Sequence, residues 1–419
     1  MKSFIDCHCH AFNFVDIPMY LTLADKIKMG TIGRLKAAAG SLILLPVALA
    51  DKNFLKRQLE GHKEFVLFFE RSLIRNIELI LTEIREHIKA SADIPNNTEI
   101  LITPLVMDFD VLLSQEMPAQ VGKEPSVREQ YGRLKKAIAS AEIKNIPNAK
   151  ICPFVGFDLR KLVDASKDKL VGFMSFWAAN STLGKTSIAD LKSGKLLGIK
   201  LYPPIGFNPY PKNPPARYNE FYEWCCQKDI PLTVHCQKGS YSAGKEKGKL
   251  DENTTPLNWE RLLRKPEFQK LRINFAHFGG ETGADDMFEP FRIDRDSWTY
   301  ILIQLLKKYP NAYADISAYD YDKKEHRNNL AKIFEKDESG KFGDGHKLAD
   351  KLLWGSDVPM VISGKSYREG FKGRGTSEYK HYFSGFLKSI NSAKLDDQQK
   401  KKIVNNMTNI NPKKFLRIG

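Results

Sequence analysis

Phe4-Ile5-Asp6-Cys7-His8-Cys9-His10 is the stretch on which the fold turns: a short, largely apolar run carrying two histidines two residues apart. Successive side chains of a β-strand point to opposite faces. His8 and His10 therefore project on one side, where two neutral imidazoles can share a cation. The same alternation sends Cys7 and Cys9 to the other face, toward packing helices, where a small apolar thiol fits well. Asp6 falls on the histidine face one layer deeper, where it either supports the ligands or pairs with Lys200 or a backbone donor.

Other strand-like runs end in residues of the same chemical kind. They are Pro231-Leu232-Thr233-Val234-His235, Ile273-Asn274-Phe275-Ala276-His277 and Leu352-Leu353-Trp354-Gly355-Ser356-Asp357. Leu197-Gly198-Ile199-Lys200-Leu201-Tyr202 adds a lysine in a fourth. Zinc accepts imidazole nitrogen and carboxylate oxygen together, and it becomes catalytic when one coordination position is left for water. Gathering this many polar groups in one interior is expensive unless a metal or mutual pairing compensates, so their convergence points to function. Taken singly, each has a plain structural reading as a core histidine or a helix cap.

Apolar, β-branched runs recur near residues 3-9, 100-106, 151-157, 197-202, 231-236, 272-277, 312-316 and 351-356, separated by stretches of helical length. That rhythm predicts repeated βα units and an α/β fold, a (β/α)8 TIM barrel forming one domain over residues 1–419. Barrel sites lie at the carboxyl ends of the strands, where these polar residues fall. The first interval is close to a hundred residues long, which predicts a helical insertion over about 12–95. Within it, Phe65, Phe69, Leu73, Ile77, Ile80, Ile84 and Ile88 recur at helical spacing and predict a helix from Lys63 to Ala90, a cover for the site mouth or a homodimer contact. Gly239 to Thr255, polar and glycine-bearing, reads as a mobile loop. The tail predicts a helix that stops before Asn411-Pro412, followed by a Lys-Lys-Phe-Leu anchor. Pro104 and Pro153 sit inside two of the proposed strands and blur their ends.

Composition narrows the field. The 419 residues include 42% hydrophobic and 27% charged, ordinary for a globular enzyme. The net charge of +15 fits attraction of an anionic substrate. The basic residues are scattered and no nucleic-acid-binding motif occurs, so no nucleic-acid partner is expected. Six cysteines in a chain of this length form no disulfide framework and fit a reducing, cytoplasmic setting. Ala37 to Ala50 is the one long apolar stretch, but it is short of the roughly 20 residues a spanning helix needs and Pro46 interrupts it, so no transmembrane segment and no signal peptide are expected.

Taken together, Ile5-Asp6-Cys7-His8-Cys9-His10, Gly198-Ile199-Lys200-Leu201-Tyr202-Pro203, Thr233-Val234-His235, Phe275-Ala276-His277, Trp354-Gly355-Ser356-Asp357 and Asn411-Pro412 make the chain resemble the amidohydrolase superfamily. The narrower resemblance is to the amidohydrolase-2 group that includes aminocarboxymuconate-semialdehyde decarboxylase. It implies a divalent cation, zinc above others, held by His8, His10, His235 and Asp357, with His277 as an acid/base or second-metal ligand and Asp357 also acting on the water. One ion is favoured, with Lys200 as a substrate contact; two ions are implied if Lys200 is carboxylated. Arg160 either holds a substrate carboxylate or closes its loop. Tyr202 either lines the pocket or packs as an aromatic.

The resulting expectation is a hydrolase that directs a metal-activated water at an amide, lactone or ester bond of a small, anionic molecule. A lyase that decarboxylates or hydrates an unsaturated acid is the first rival. A barrel that has lost catalysis and binds a membrane surface through Ala37 to Ala50 is the second.

Overall fold

The computed structural model describes residues 3–12, 71–90, 95, 97–116, 126–163, 167–182, 184, 186–238, 249–288, 293–321, 323–358 and 378–419. Most of the proposed insertion, the Ala37 to Ala50 stretch, the start of the proposed Lys63 to Ala90 helix and residues 239–248 of the proposed mobile loop lie outside these.

Nine strands are present among the described residues: β1 (Ser3–Cys9), β2 (Glu99–Pro104), β3 (Ala149–Ile151), β4 (Phe154–Gly156), β5 (Gly198–Leu201), β6 (Leu232–Gln237), β7 (Ile273–Gly279), β8 (Ala312–Asp315) and β9 (Leu352–Leu353). Every pairing is parallel. The strands are buried nearly throughout, as expected of a parallel sheet covered by helices. The ladders form two sheets, β1-β2-β3 and β4 through β9 in sequential order, and not one closed barrel. Single contacts pass between their edges. Leu105 bridges to Phe154, Val106 N donates to Phe154 O at 2.9 Å, and Cys7 N donates to Trp354 O at 3.1 Å.

The expected strand over 151–157 is two strands, β3 and β4, because Pro153 stands between them and supplies no N–H to a ladder. A register shift also interrupts β1 between Asp6 and Cys9. It undoes the strict alternation read from the sequence. Cys7 packs with Ile5, Leu101 and Leu353, whereas Cys9 joins Phe4 and Ile102 in the larger core. The smaller cluster draws Ile5, Leu101, Phe154, Tyr313 and Leu353 from both sheets and is joined by Phe415, Leu416 and Ile418 of the tail.

Within the described residues the expected long helix runs Leu73–Ala90 and buries Leu73, Ile77, Ile80, Ile84 and Ile88, the stripe that its spacing predicted. Where a loop was expected up to Thr255, Leu250–Thr254 is helical. The tail does not stop before Asn411: a wide π turn at Asn406–Ile410 carries the helical path from Asp397–Asn405 into Asn411–Leu416. Pro412 is tolerated because it enters at the first turn, where its missing N–H has no intrahelical acceptor to serve. Asn411 Nδ2 donates to Ala349 O and Leu352 O, which ties the tail to β9. No helix among the described residues is long and apolar enough to cross a membrane.

Candidate metal centre

His8 and His10 come from β1 and the residue beyond it, His235 from β6, His277 from β7, and Asp357 from the loop after β9. All five are buried, at 1, 6, 5, 4 and 5% exposure, so their polar atoms must satisfy one another or a ligand. Parallel strands put all their carboxyl ends on one side, which is why residues so far apart in sequence meet. Asp357 is brought to β1 by backbone pairing, its N–H donating to His8 O at 2.6 Å while His10 N donates to Val358 O at 2.7 Å. Gly355 makes this approach feasible: a Cβ there would lie 2.6 Å from His8 Cβ. His277 and Asp357 both sit on left-handed backbone, with φ of 69° and 57°, a conformation uncommon for non-glycine residues that clusters at functional sites.

Hydrogen bonding fixes which imidazole nitrogens are bare. Nδ1 of His10 lies 3.1 Å from Leu105 O. A carbonyl only accepts, so Nδ1 carries the hydrogen and Nε2 keeps its lone pair. That Nε2 faces Asp357 Oδ1 at 3.1 Å. His8 repeats the pattern, with Nδ1 against Asp315 Oδ2 at 3.0 Å and Nε2 against the same Asp357 Oδ1 at 3.2 Å. Three acceptor atoms thus converge, an arrangement that needs a proton or a cation among them. His8, His10 and Asp357 each offer a donor atom within 4.8 Å of the others, and His8, His277 and Asp315 form a second such group among the described residues. The donor set, imidazole nitrogen with carboxylate oxygen, suits a borderline divalent ion.

His277 Nδ1 lies 3.2 Å from Ser317 O, which again puts the hydrogen on Nδ1 and leaves Nε2 bare. Nε2 stands 3.1 Å from His235 Nδ1. The facing nitrogen either brings a hydrogen or is a second bare donor beside a cation. Tyr202 meets the His235 ring edge-on at 4.9 Å between centroids and packs against the core.

Burial depresses three of the imidazoles: His10 is lowered, His235 falls well below the ordinary value with His277 adding to the effect, and His277 drops to about 4. His8 goes the other way. Burial pulls it down, but the carboxylates of Asp315 and Asp357 outweigh that and raise it. Asp357 is held well below the carboxylate range, since His8 and His10 overcome the upward push of burial. Burial lifts Asp6 to about 6, although its Oδ1 accepts the N–H groups of His8 and Ser356, each at 3.1 Å. Those backbone donors, anticipated from the sequence as one option, occupy that oxygen.

Lys200 is 2% exposed and lies in β5, in register with Thr233 of β6, two residues before His235. Burial lowers its ammonium to about 8, with Asp315 and Asp357 opposing. Its Nζ stands 5.9 Å from the Tyr202 ring centroid. Arg160 is engaged by the protein itself: Nε and Nη2 grip Asp158 at 3.1 and 2.6 Å, and Nη1 donates to Gln115 at 3.0 Å. The neighbouring Lys161 bridges Asp108 and Asp110 at 2.7 Å each, so this loop is closed by its own ion pairs.

Two residues of the centre escaped the sequence reading. Asp315, at the end of β8, is fully buried and takes five donors: His8 Nδ1 and Asn274 Nδ2 on Oδ2 at 3.0 and 2.7 Å, His277 N and Ser317 N on Oδ1 at 3.1 Å each, and Ser317 Oγ on Oδ1 as well. Those donors keep it ionised despite burial. Ser317 Oγ also lies 2.9 Å from His277 Nδ1 and 3.0 Å from His8 Nδ1. The available signal was the position of Asp315 after Ala312-Tyr313-Ala314, a carboxylate at a strand's carboxyl end like Asp357.

Comparison with known proteins adds the family. No curated protein matches the chain. Among solved structures, a probable 2-pyrone-4,6-dicarboxylic acid hydrolase from Acinetobacter baumannii with citric acid bound is similar at 13% identity and a TM-score of 0.46, over 99% of each chain. An amidohydrolase from Burkholderia multivorans with bound zinc is similar at 10% identity and a TM-score of 0.44, over 100% of each chain. The 5-carboxyvanillate decarboxylase of Sphingomonas paucimobilis is similar at 10% identity and a TM-score of 0.46, also over 100% of each. At such identities and scores none of their reactions or ligands transfers to this chain. The Amidohydro_2 family, described as amidohydrolase, matches residues 158–418, and so covers His235, His277, Asp315 and Asp357 while leaving His8 and His10 to the fold. With more than half of its length matched, the chain belongs to the amidohydrolase family of enzymes.

Proposed function

We propose that this enzyme is a metal-dependent hydrolase acting on an amide, lactone or ester bond of a small, anionic substrate. The observation that carries the reading is the convergence of the bare Nε2 atoms of His8 and His10 on one oxygen of Asp357, at 3.2 and 3.1 Å. We infer one divalent ion, zinc by the donor chemistry, held by His8, His10, His235 and Asp357. Bound there, such an ion supplies Lewis acidity that polarises a carbonyl and brings water closer to ionisation at neutral pH.

The remaining work belongs to the chain. His277 presents a bare Nε2 and stays neutral down to about pH 4, which suits it to accept a proton from water and return it to the leaving group. Asp357 assists as a carboxylate held ionised. Lys200 meets the substrate's negative charge, and the Tyr202 ring forms the wall beside His235. Arg160, already gripped by Asp158, is assigned to closing its loop. Two ions with carboxylated Lys200 form the alternative metal arrangement, and metal stoichiometry separates the two.

We take the two sheets as one (β/α)8 barrel in a single domain, with β3 and β4 as halves of one strand. The edge contacts Leu105–Phe154 and Cys7–Trp354 support this, as does the apolar cluster that both sheets share. All six cysteines are unpaired, which supports the cytoplasmic assignment.

A lyase reading draws on Lys200, a buried amine suited to hold a substrate carboxylate near the imidazoles. One experiment decides between the two. The zinc-loaded and chelator-treated protein is assayed against lactones, amides and unsaturated dicarboxylates, and products are identified. A new acid with its alcohol or amine supports the hydrolase, and carbon dioxide release the lyase. Turnover that survives metal removal would overturn both.

A further inference from the structure

We propose that Asp315 and Ser317 act as a positioning pair that sets the tautomers of His8 and His277 together, so that both rings turn a bare Nε2 toward the metal centre. The inference rests on the metal-enzyme reading above, which assigns His8 to the cation and His277 to proton transfer.

The hydrogen count carries it. Ser317 Oγ has one hydrogen and directs it to Asp315 Oδ1. The oxygen is thereby left as an acceptor toward His277 Nδ1 at 2.9 Å, and it can receive only if that nitrogen is protonated. Asp315 Oδ2, as an ionised carboxylate, likewise demands a hydrogen on His8 Nδ1 at 3.0 Å. Asn274 Nδ2, donating to the same oxygen at 2.7 Å, and the N–H groups of His277 and Ser317 on the other keep the carboxylate from rotating. One buried group therefore governs a residue of β1 and a residue of β7. A carboxylate behind a metal-binding histidine fixes its ring and raises its basicity, and loss of such a partner commonly costs 10–100-fold in metal affinity or activity.

The test uses the full chain with Asp315→Asn, Ser317→Ala and Ser317→Thr. In Asp315→Asn the amide can turn an N–H toward His8, which would move that ring's hydrogen to Nε2. Nitrogen-15 histidine NMR of the metal-free protein should show a hydrogen on Nδ1 of both His8 and His277 in the wild type. His8 should shift to Nε2–H or a mixture in Asp315→Asn. Ser317→Ala keeps the backbone carbonyl that holds the hydrogen on His277 Nδ1, so the share of the hydroxyl is read from zinc affinity, which should fall in Ser317→Ala and recover in Ser317→Thr. Zinc affinity should fall about 10–100-fold in Asp315→Asn, with stoichiometry at saturation unchanged.

Unchanged tautomers and affinity in both Asp315→Asn and Ser317→Ala would overturn the proposal. A loss of one bound ion per chain in Asp315→Asn would also overturn it, by making Asp315 a ligand. If Asp315→Asn fails to fold, the Ser317 pair decides by zinc affinity. A wild type that binds no zinc refutes the metal reading alone, since the tautomer measurement stands without metal.

Discussion

Nε2 of His277 faces Nδ1 of His235 at 3.1 Å, two imidazoles from neighbouring strands aimed at each other inside the protein. Burial makes a charge on either unfavourable, and His277 makes a charge on His235 worse still. The pair is therefore built to be neutral, as the ligation and proton acceptance proposed for it require.

The metal-free protein should lose stability in acid through His277. Its imidazole drops from the ordinary 6.5 to about 4 in the fold. The unfolded chain thus takes the proton first as pH drops below 6.5, and the loss grows until about pH 4, where the native state takes it too. The lowering is equivalent to about 3 kcal/mol. Denaturant unfolding of wild type and His277→Asn across this window should show a shallower acid loss in the variant; parallel curves would contradict the assignment.

His8→Ala and Asp357→Ala should each lower bound zinc and abolish turnover, because each removes an atom from the convergence on Asp357 Oδ1. Elemental analysis after dialysis provides the check. Full metal content in both variants would refute the ligand set.

Gly355→Ala and Gly198→Ala form an informative pair. The new methyl at 355 would meet His8 Cβ at 2.6 Å, and that at 198 would meet the Phe154 ring at 2.0 Å. Overpacking should cost each about 1–3 kcal/mol. Only Gly355→Ala pushes on His8, so only it should weaken zinc binding well beyond its effect on Tm. Equal zinc affinity in the two would argue against His8 as a ligand.

Lys307→Met should destabilise strongly without touching the site. Lys307 Nζ pairs with Asp337 Oδ1 at 2.8 Å, with both side chains buried. Removing the cation strands Asp337 and should cost about 3–5 kcal/mol. Chemical denaturation measures that loss, while zinc stoichiometry should hold. A neutral effect on stability would mean that water reaches Asp337.

Much of the centre was legible because strand periodicity and residue chemistry are local properties. His8, His10, His235, His277 and Asp357 each lie at the end of an apolar run, and parallel βα order puts such ends on one side. Arg160 could not be judged that way, since its grip on Asp158 depends on a loop conformation. Asp315 and Ser317 looked like the close of an ordinary strand until the imidazoles they serve were in place.

By itself, then, the sequence determined which segments are strands, which of their ends carry imidazole or carboxylate, and that the helix at Leu73–Ala90 buries one stripe, because these follow from side-chain period and burial. Tertiary structure alone decided the split at Pro153, the break in alternation between Asp6 and Cys9, and the atom that each imidazole turns toward Asp357. Those depend on hydrogen bonds between residues up to hundreds of positions apart, and a bond such as His8 to Asp315 leaves no trace in the neighbourhood of either residue.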